Sequence, residues 1–319
     1  MTVADRTASA PTTAPVRRRR RRQFDREALA GYAFISPWII GFLVFTVISM
    51  SYSAYLSATD YDLATNTAPW VGGANYAELV EDPKVLQSLG NTFTYALMSV
   101  PLETAFALLL ALLLTSIPRG QGFFRVLYYL PKMTPAVATA AVFLLLLNGN
   151  RGAVNQFLGV LGIQGPQWLI DPDWIIPSIV LMSAWAVAGS MIIYMAALQG
   201  VPVDLYEAAA LDGAGPIRRF WRITVPLISP TTFFLVVTNT ISSLQVFDQA
   251  YLLFYRDASS SAPSASLFYG IHLYQQAFQQ FNFGLAAAMA WVLFAIIMVI
   301  TVFQVQVSKR LVHYQGESR

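Results

Sequence analysis

The sequence predicts an all-α membrane protein with six transmembrane helices, both termini cytoplasmic, and a short cytoplasmic helix between the fourth and fifth crossings. Three observations predict it. The chain of 319 residues is 56% hydrophobic and only 12% charged, whereas a soluble domain carries about a quarter of its residues as Asp, Glu, Lys or Arg. Its apolar residues are gathered into blocks long enough for a helical crossing, which takes about 20 residues. Its basic residues flank alternate ends of those blocks, as the positive-inside bias requires.

The first crossing is expected at about Tyr32 to Leu56, after a Thr-, Ala- and Pro-rich, disordered basic tail over residues 1–28. Residues 57–90 carry Asp60, Asp62, Glu78, Glu81 and Asp82, with Pro69, Gly72 and Gly73 as turn signals, and read as an external loop. The second crossing, about Asn91 to Ile117, stops at Pro118. A basic turn of Arg119, Gly120 and Gly122 leads to the third, about Val126 to Leu147. An outward loop follows, with Trp168 and Trp174 near the membrane interface. The fourth, fifth and sixth crossings are expected at about Ile175 to Leu198, Leu227 to Phe247 and Leu285 to Val307. With the N-terminus inside, Lys84, Arg151 and Arg256 lie in external loops; the remaining Lys and Arg fall in tails, cytoplasmic loops or the cytoplasmic edge of a helix. The transmembrane domain is therefore 29–319.

The chain has no Cys, which excludes disulfides, thiolate metal sites and cysteine lipidation. His272 and His313 are far apart and share no metal-ligand spacing, so no metal site is expected. The run Arg17 to Arg22 is compatible with a nucleic-acid arm, yet it directly precedes an apolar block and reads as a topology determinant; no nucleic-acid partner is expected. Arg21-Arg22-Gln23-Phe24 resembles the core of a twin-arginine export signal, but Asp25 and Glu27 follow and the next apolar block is too long.

The segment at about 203–226 is the most informative. Asp204 is placed to cap a helix with Glu207 at its third position, and Ala208-Ala209-Ala210-Leu211 favours helix strongly. Gly213 should end that helix in the left-handed conformation, and Pro216 should open a second one through Trp221 and Arg222. Composition alone permits an interfacial amphipathic helix. The spacing is more specific: Glu207-Ala208-Ala209, three residues, Gly213, nine residues, Ile223, one residue, Val225, Pro226. It resembles the EAA loop of binding-protein-dependent ABC importer permeases, with Val225 where Leu is usual.

Further words resemble the carbohydrate branch of that family, the MalF-like or UgpA-like subunits. They are Phe34-Ile35-Ser36-Pro37-Trp38, Trp70-Val71-Gly72 with Asn75-Tyr76, Asn91-Thr92, Phe123-Phe124-Arg125 with Tyr128 to Pro131, Gln245 to Tyr251, and Tyr274 with Ala277-Phe278. One departure is a loop of Arg256, Asp257 and Ser259 to Pro263 where the family often carries Gly-Gly-Pro, at the side expected to meet the binding protein. The resemblance implies a bacterial inner-membrane permease with its importer core at about 90–308. Glu207, Ala208, Ala209, Asp212, Gly213, Ile223 and Pro226 would couple it to a separate ATPase. It also implies a second permease, two ATPase subunits holding ATP and Mg, an extracytoplasmic binding protein, and no cofactor in this chain. Disaccharide, oligosaccharide and glycerophosphodiester substrates stay open.

Polar side chains at membrane depth are candidates for a substrate path because lipid cannot hydrogen-bond them. In the fifth crossing these are Asn239, Ser242, Ser243 and Gln245, with Asn239 and Ser243 one turn apart; Asp248 and Tyr251 lie towards its outer edge. Each reads equally as interhelical packing. Glu103 is a candidate coupling acid for the competing class, an ion-coupled secondary transporter. No phosphate-binding Gly-Lys-Ser/Thr loop exists, so ATP hydrolysis must come from elsewhere, and the scattered acids and histidines make no enzyme site.

Overall fold

The computed structural model describes residues 19–63, 65–255 and 262–311, with side chains placed from residue 28 to 309. Residues 1–18 of the expected tail, the loop stretch 256–261 and His313 lie outside the described residues. The described chain is helical, with two isolated β-bridges, Thr59 to Trp70 and Asp62 to Thr67.

The first unit holds α1 (Arg19–Phe42), a π-helical turn (Leu43–Ile48) and most of α2 (Ser49–Ser57). Among the described residues α1 already includes Arg19 to Ala28; Arg, Glu and Ala in this stretch are good helix formers.

The second unit, Leu56–Arg319, contains everything that follows. The expected external loop 57–90 holds α3 (Ala74–Glu81) and the first turns of α4 (Pro83–Thr115). The second crossing thus begins eight residues earlier than its apolar block. Asp82 caps it by accepting from the Lys84 N–H at 2.8 Å, with Pro83 in the first turn, where its missing N–H costs nothing. After α4 come α5 (Gln121–Met133), α6 (Ala136–Leu146), α7 (Ala153–Val160), α8 (Pro172–Trp185), α9 (Ala188–Gln199), α10 (Val203–Leu211), α11 (Pro216–Arg219), a π-helical turn (Phe220–Thr224), α12 (Val225–Leu244), α13 (Asp248–Phe254), α14 (Tyr269–Phe278) and α15 (Phe283–Leu311).

Four stretches among the described residues are long and apolar enough to cross a membrane: Ala28–Ser57, Pro83–Thr115, Pro216–Phe254 and Phe283–Lys309. The third and fourth crossings expected from sequence are bent pairs instead, α5 with α6 at 95° and α8 with α9 at 51°; counting each pair as one span gives six. The sharper bend falls at Thr134, which is extended (ψ 130°) because Pro135 follows it. The shallower one lies just before the Gly189-Ser190 pair, a recurrent site of kinks.

Helix α4 is the axis of the second unit and packs on α8, α9, α12 and α14. It can do so because one face is a stripe of small buried residues, Ser88, Thr92, Ala96, Ser99, Ala107 and Ala111, which lets neighbouring backbones approach. One end of α4 enters a core with Phe143, Ile175, Ile179, Phe268 and Ile271 around Tyr95. The other enters a core with Met191, Tyr194, Met195, Ile228 and Leu235. Asn91 and Thr92 tie α4 to α14. The Asn91 amide donates to the carbonyls of Ser264 (3.0 Å) and Leu267 (2.9 Å), and Thr92 accepts from the Tyr269 N–H at 2.9 Å. Buried His272 of α14 donates from Nε2 to the second oxygen of the capping Asp82 at 3.0 Å.

The turn after α2 is fastened in the same manner. The Asn75 amide donates to the Ser57 and Thr59 carbonyls at 2.8 and 3.0 Å. Gly284, at the start of α15, is so close that a Cβ there would collide with the Thr59 carbonyl oxygen and crowd the Asn75 amide. Gly284→Val is therefore expected to cost about 2 kcal/mol and to lower the unfolding temperature in detergent; an unchanged transition would show that the turn does not sit on α15.

Candidate functional site

Two places concentrate the residues singled out from sequence. The first is a cavity of about 350 Å³ at the middle of the second unit. Tyr95 and Glu103 of α4, Lys132 of α5, Ser183 of α8, Gly189 and Ser190 of α9, and Asn239, Ser242 and Ser243 of α12 line it. So do Gln245, Val246 and Phe247 in the gap between α12 and α13, and Asp248 and Gln249 at the start of α13. Two helix interruptions, at Ala186–Val187 and at Gln245–Phe247, therefore open onto the same space. This is where interruptions can persist at membrane depth, because backbone groups freed from the helix ladder need water or protein partners.

Five of the six path candidates, Asn239, Ser242, Ser243, Gln245 and Asp248, share this cavity. They are not equivalent. Ser243 is buried and hydrogen-bonded to Ser99 across helices at 3.0 Å, so it acts as packing glue between α4 and α12. Asn239 has a buried Nδ2 without an acceptor among the described residues, leaving a donor at the cavity wall. Ser242, Gln245 and Asp248 are exposed to the cavity. Tyr251 does not line it. Its ring stacks on Phe247 at 5.0 Å and Tyr255 at 6.2 Å and meets Tyr274 edge-on at 5.2 Å, an aromatic row that continues outward from the rim.

Glu103 occupies the position that continues the small-residue stripe of α4, between Ser99 and Ala107, and reaches the cavity there. Lys132, expected at the cytoplasmic edge of a helix, is in the last turn of α5 beside the Thr134 bend and lines the cavity with Glu103. Tyr95 and Ser183, which sequence reasoning passed over, bond each other at 2.6 Å across α4 and α8 in its wall. The sequence signal for Lys132 was a lone cation inside an apolar block; Tyr95 and Ser183 offered none.

The second place is the elbow formed by α10 and α11. The N-cap is Pro202 and Asp204 lies inside the first turn with no capping bond, so the capping role expected of Asp204 is not realised; Pro202 already directs the chain into helix from an extended conformation. The end of α10 matches expectation. The Ala214 N–H reaches the Ala209 carbonyl at 2.8 Å and the Gly213 N–H reaches the Ala210 carbonyl at 3.0 Å, a Schellman pair closed by Gly213 at φ 74°. A Cβ on Gly213 would meet nothing within 4 Å, so glycine is needed there for conformation and not for space.

Glu207, Ala208, Leu211 and Asp212 form an exposed face, with Leu211 91% exposed, while Ala209 is half-buried. The opposite face is anchored. Tyr206 hydrogen-bonds Thr224 at 2.8 Å, and Tyr206 and Ile223 pack on the core built around Met191, Tyr194 and Ile228. Pro226 sits in the first turn of α12, where a proline is tolerated. The elbow thus has one exposed face and a root packed against α4, α9 and α12.

Residues 74–313 match the family model described as "Binding-protein-dependent transport system inner membrane component". The chain is 40% identical over 299 residues to the probable ABC transporter permease protein YesP of Bacillus subtilis, covering 93% of this chain and 96% of that one. It is 30% identical over 288 residues to the trehalose/maltose transport system permease protein MalF of Thermococcus litoralis, covering 89% and 95%. Its fold is similar to a chain in the crystal structure of a bacterial ABC transporter involved in the import of the acidic polysaccharide alginate, with TM-score 0.79, 25% identity, and 92% and 100% of the two chains covered.

The two serines on facing helices permit a direct test. A double-mutant cycle on Ser99→Ala and Ser243→Ala, read by unfolding in mixed micelles, should give a coupling of about 0.6 kcal/mol. Ser242→Ala paired with Ser99→Ala should give none; equal couplings would remove the distinction between packing and path residues.

Proposed function

This chain belongs to the binding-protein-dependent transport system inner membrane components, and from that premise we propose that it forms one transmembrane half of an ATP-driven importer for a carbohydrate. The observation that carries the reading is the polar cavity placed at two helix interruptions, with the uncoupled amide of Asn239 and the exposed Ser242 and Gln245 on its wall. Amide and hydroxyl groups exchange hydrogen bonds with a polyol without demanding charge. The relatives support the class, since one is named for trehalose and maltose and a structural neighbour for alginate.

Energy would come from two separate ATPase subunits that hold ATP and Mg, engaged through the free face of α10. Glu207, Ala208, Ala209, Asp212 and Gly213 would meet the ATPase, and Ile223 and Pro226 would carry the motion into α12. A rigid lever rooted by Tyr206 and Thr224 can transmit such movement to the helices that wall the cavity. A second permease, expected to be a different chain, would complete the path. A binding protein would deliver substrate from outside, with both termini of this chain in the cytoplasm of a bacterium. Glu103 in the cavity is the feature an ion-coupled carrier would use, but family membership argues for external ATP hydrolysis.

Reconstitution with the candidate partners tests this. Uptake should vanish with a hydrolysis-dead ATPase; uptake driven by an ion gradient alone would refute the importer. Within that assay Asn239→Leu should lower uptake roughly tenfold, the scale of one buried polar group left unmatched. Gly213→Val should disturb coupling while membrane insertion persists, because a β-branched residue resists positive φ at about 1–2 kcal/mol. Gly213→Asn should be milder, and full uptake with both Gly213→Val and Glu207→Lys would refute the role of the elbow.

A further inference from the structure

Beneath the elbow lies a second cavity, of about 450 Å³, that neither the transport path nor the free face of α10 uses. Leu112 and Thr115 from the last turn of α4, Leu198 and Gln199 from the last turn of α9, Tyr206 of α10, Pro216 and Arg219 of α11, and Phe220 and Thr224 of the π-turn line it. Its wall is mostly apolar, and one cation faces it. The Arg219 Nε is buried without a hydrogen-bond acceptor among the described residues. Leaving a buried guanidinium donor unmatched is expensive, so an anion is the natural complement. The Tyr206–Thr224 pair adds a donor, because two hydroxyls sharing one bond leave one proton free.

We propose that this cavity holds the phosphate group of an anionic phospholipid, with Arg219 as its principal contact and Leu112, Leu198 and Phe220 against the glycerol and upper acyl carbons. The location favours lipid over a protein carboxylate. The lining comes from the final turns of membrane-spanning helices, which places it at headgroup depth. The face of α10 free to meet another protein bears Glu207, Ala208 and Leu211, whereas Tyr206 on the other face lines the cavity. The neighbouring segment also carries the marks of a membrane surface, with Ile217 and Trp221 exposed at 75% and 63%, each followed by an exposed arginine, Arg218 and Arg222. A lipid seated there would brace the root of the lever. The inference does not depend on what the other cavity carries.

The test uses the full-length chain in detergent, titrated separately with dioleoylphosphatidylglycerol, dioleoylphosphatidylcholine and inorganic phosphate and read by native mass spectrometry. Phosphatidylglycerol should be retained in preference to phosphatidylcholine. Arg219→Gln should weaken that retention roughly tenfold, the loss of one charge-assisted contact. Arg219→Lys should restore part of it, and Thr115→Phe, which fills the cavity without removing the guanidinium, should weaken it as well. Lys309→Gln, at another helix end, should leave it unchanged. Retention of inorganic phosphate without lipid, sensitive to Arg219→Gln, would support the same anion site with a free source. Identical behaviour of wild type and Arg219→Gln in the lipid and phosphate arms would overturn the proposal.

Discussion

A helix that stops inside a bilayer must place its freed N–H and C=O groups against water or protein, and the arrangement of this molecule follows from where its helices stop. The interruptions at Ala186–Val187 and Gln245–Phe247 open on one polar cavity, and the Thr134 bend brings Lys132 to its edge. Breaks and cavity support each other. Without the polar space the breaks would be costly, and the breaks add the exposed Gln245 and Asp248 to a wall that the helices already line with Asn239 and Ser242.

The polar residues around that space divide by what they bond. Tyr95 with Ser183, and Ser99 with Ser243, join helix pairs and hold the wall together. Asn239, Ser242 and Gln245 keep capacity for something else. Glu103 and Lys132 line the same space.

At the far end of the same helices the elbow combines a closed turn with an exposed face. The Schellman closure at Gly213 stiffens the turn through backbone bonds alone, and the Tyr206–Thr224 bond with the packing of Ile223 anchors it. That leaves Glu207, Ala208 and Leu211 unencumbered. On the other side of the unit, Asn91, Thr92, Asn75 and the His272–Asp82 pair fasten connecting segments to α4 and α15 through carbonyl and carboxylate acceptors.

By itself the sequence determined what local chemistry can encode. Long apolar blocks placed the crossings, the Glu207 to Pro226 spacing placed the elbow, and Gly213 was readable as its left-handed end because only the residue's own backbone is involved. Recurring words such as Asn91-Thr92 were visible, but their use as ties to Ser264, Leu267 and Tyr269 was not. Tertiary structure alone decided that Ser243 is spent on Ser99 while Asn239 is not, that Tyr251 belongs to an aromatic row outside the cavity, and that Lys132 turns inward. It also decided that two crossings are bent and that Asp204 does not cap α10. The reason is common to all of these: periodicity reports which residues share a face of one helix, whereas a hydrogen-bond partner or a cavity wall exists only once helices distant in the chain have been brought side by side.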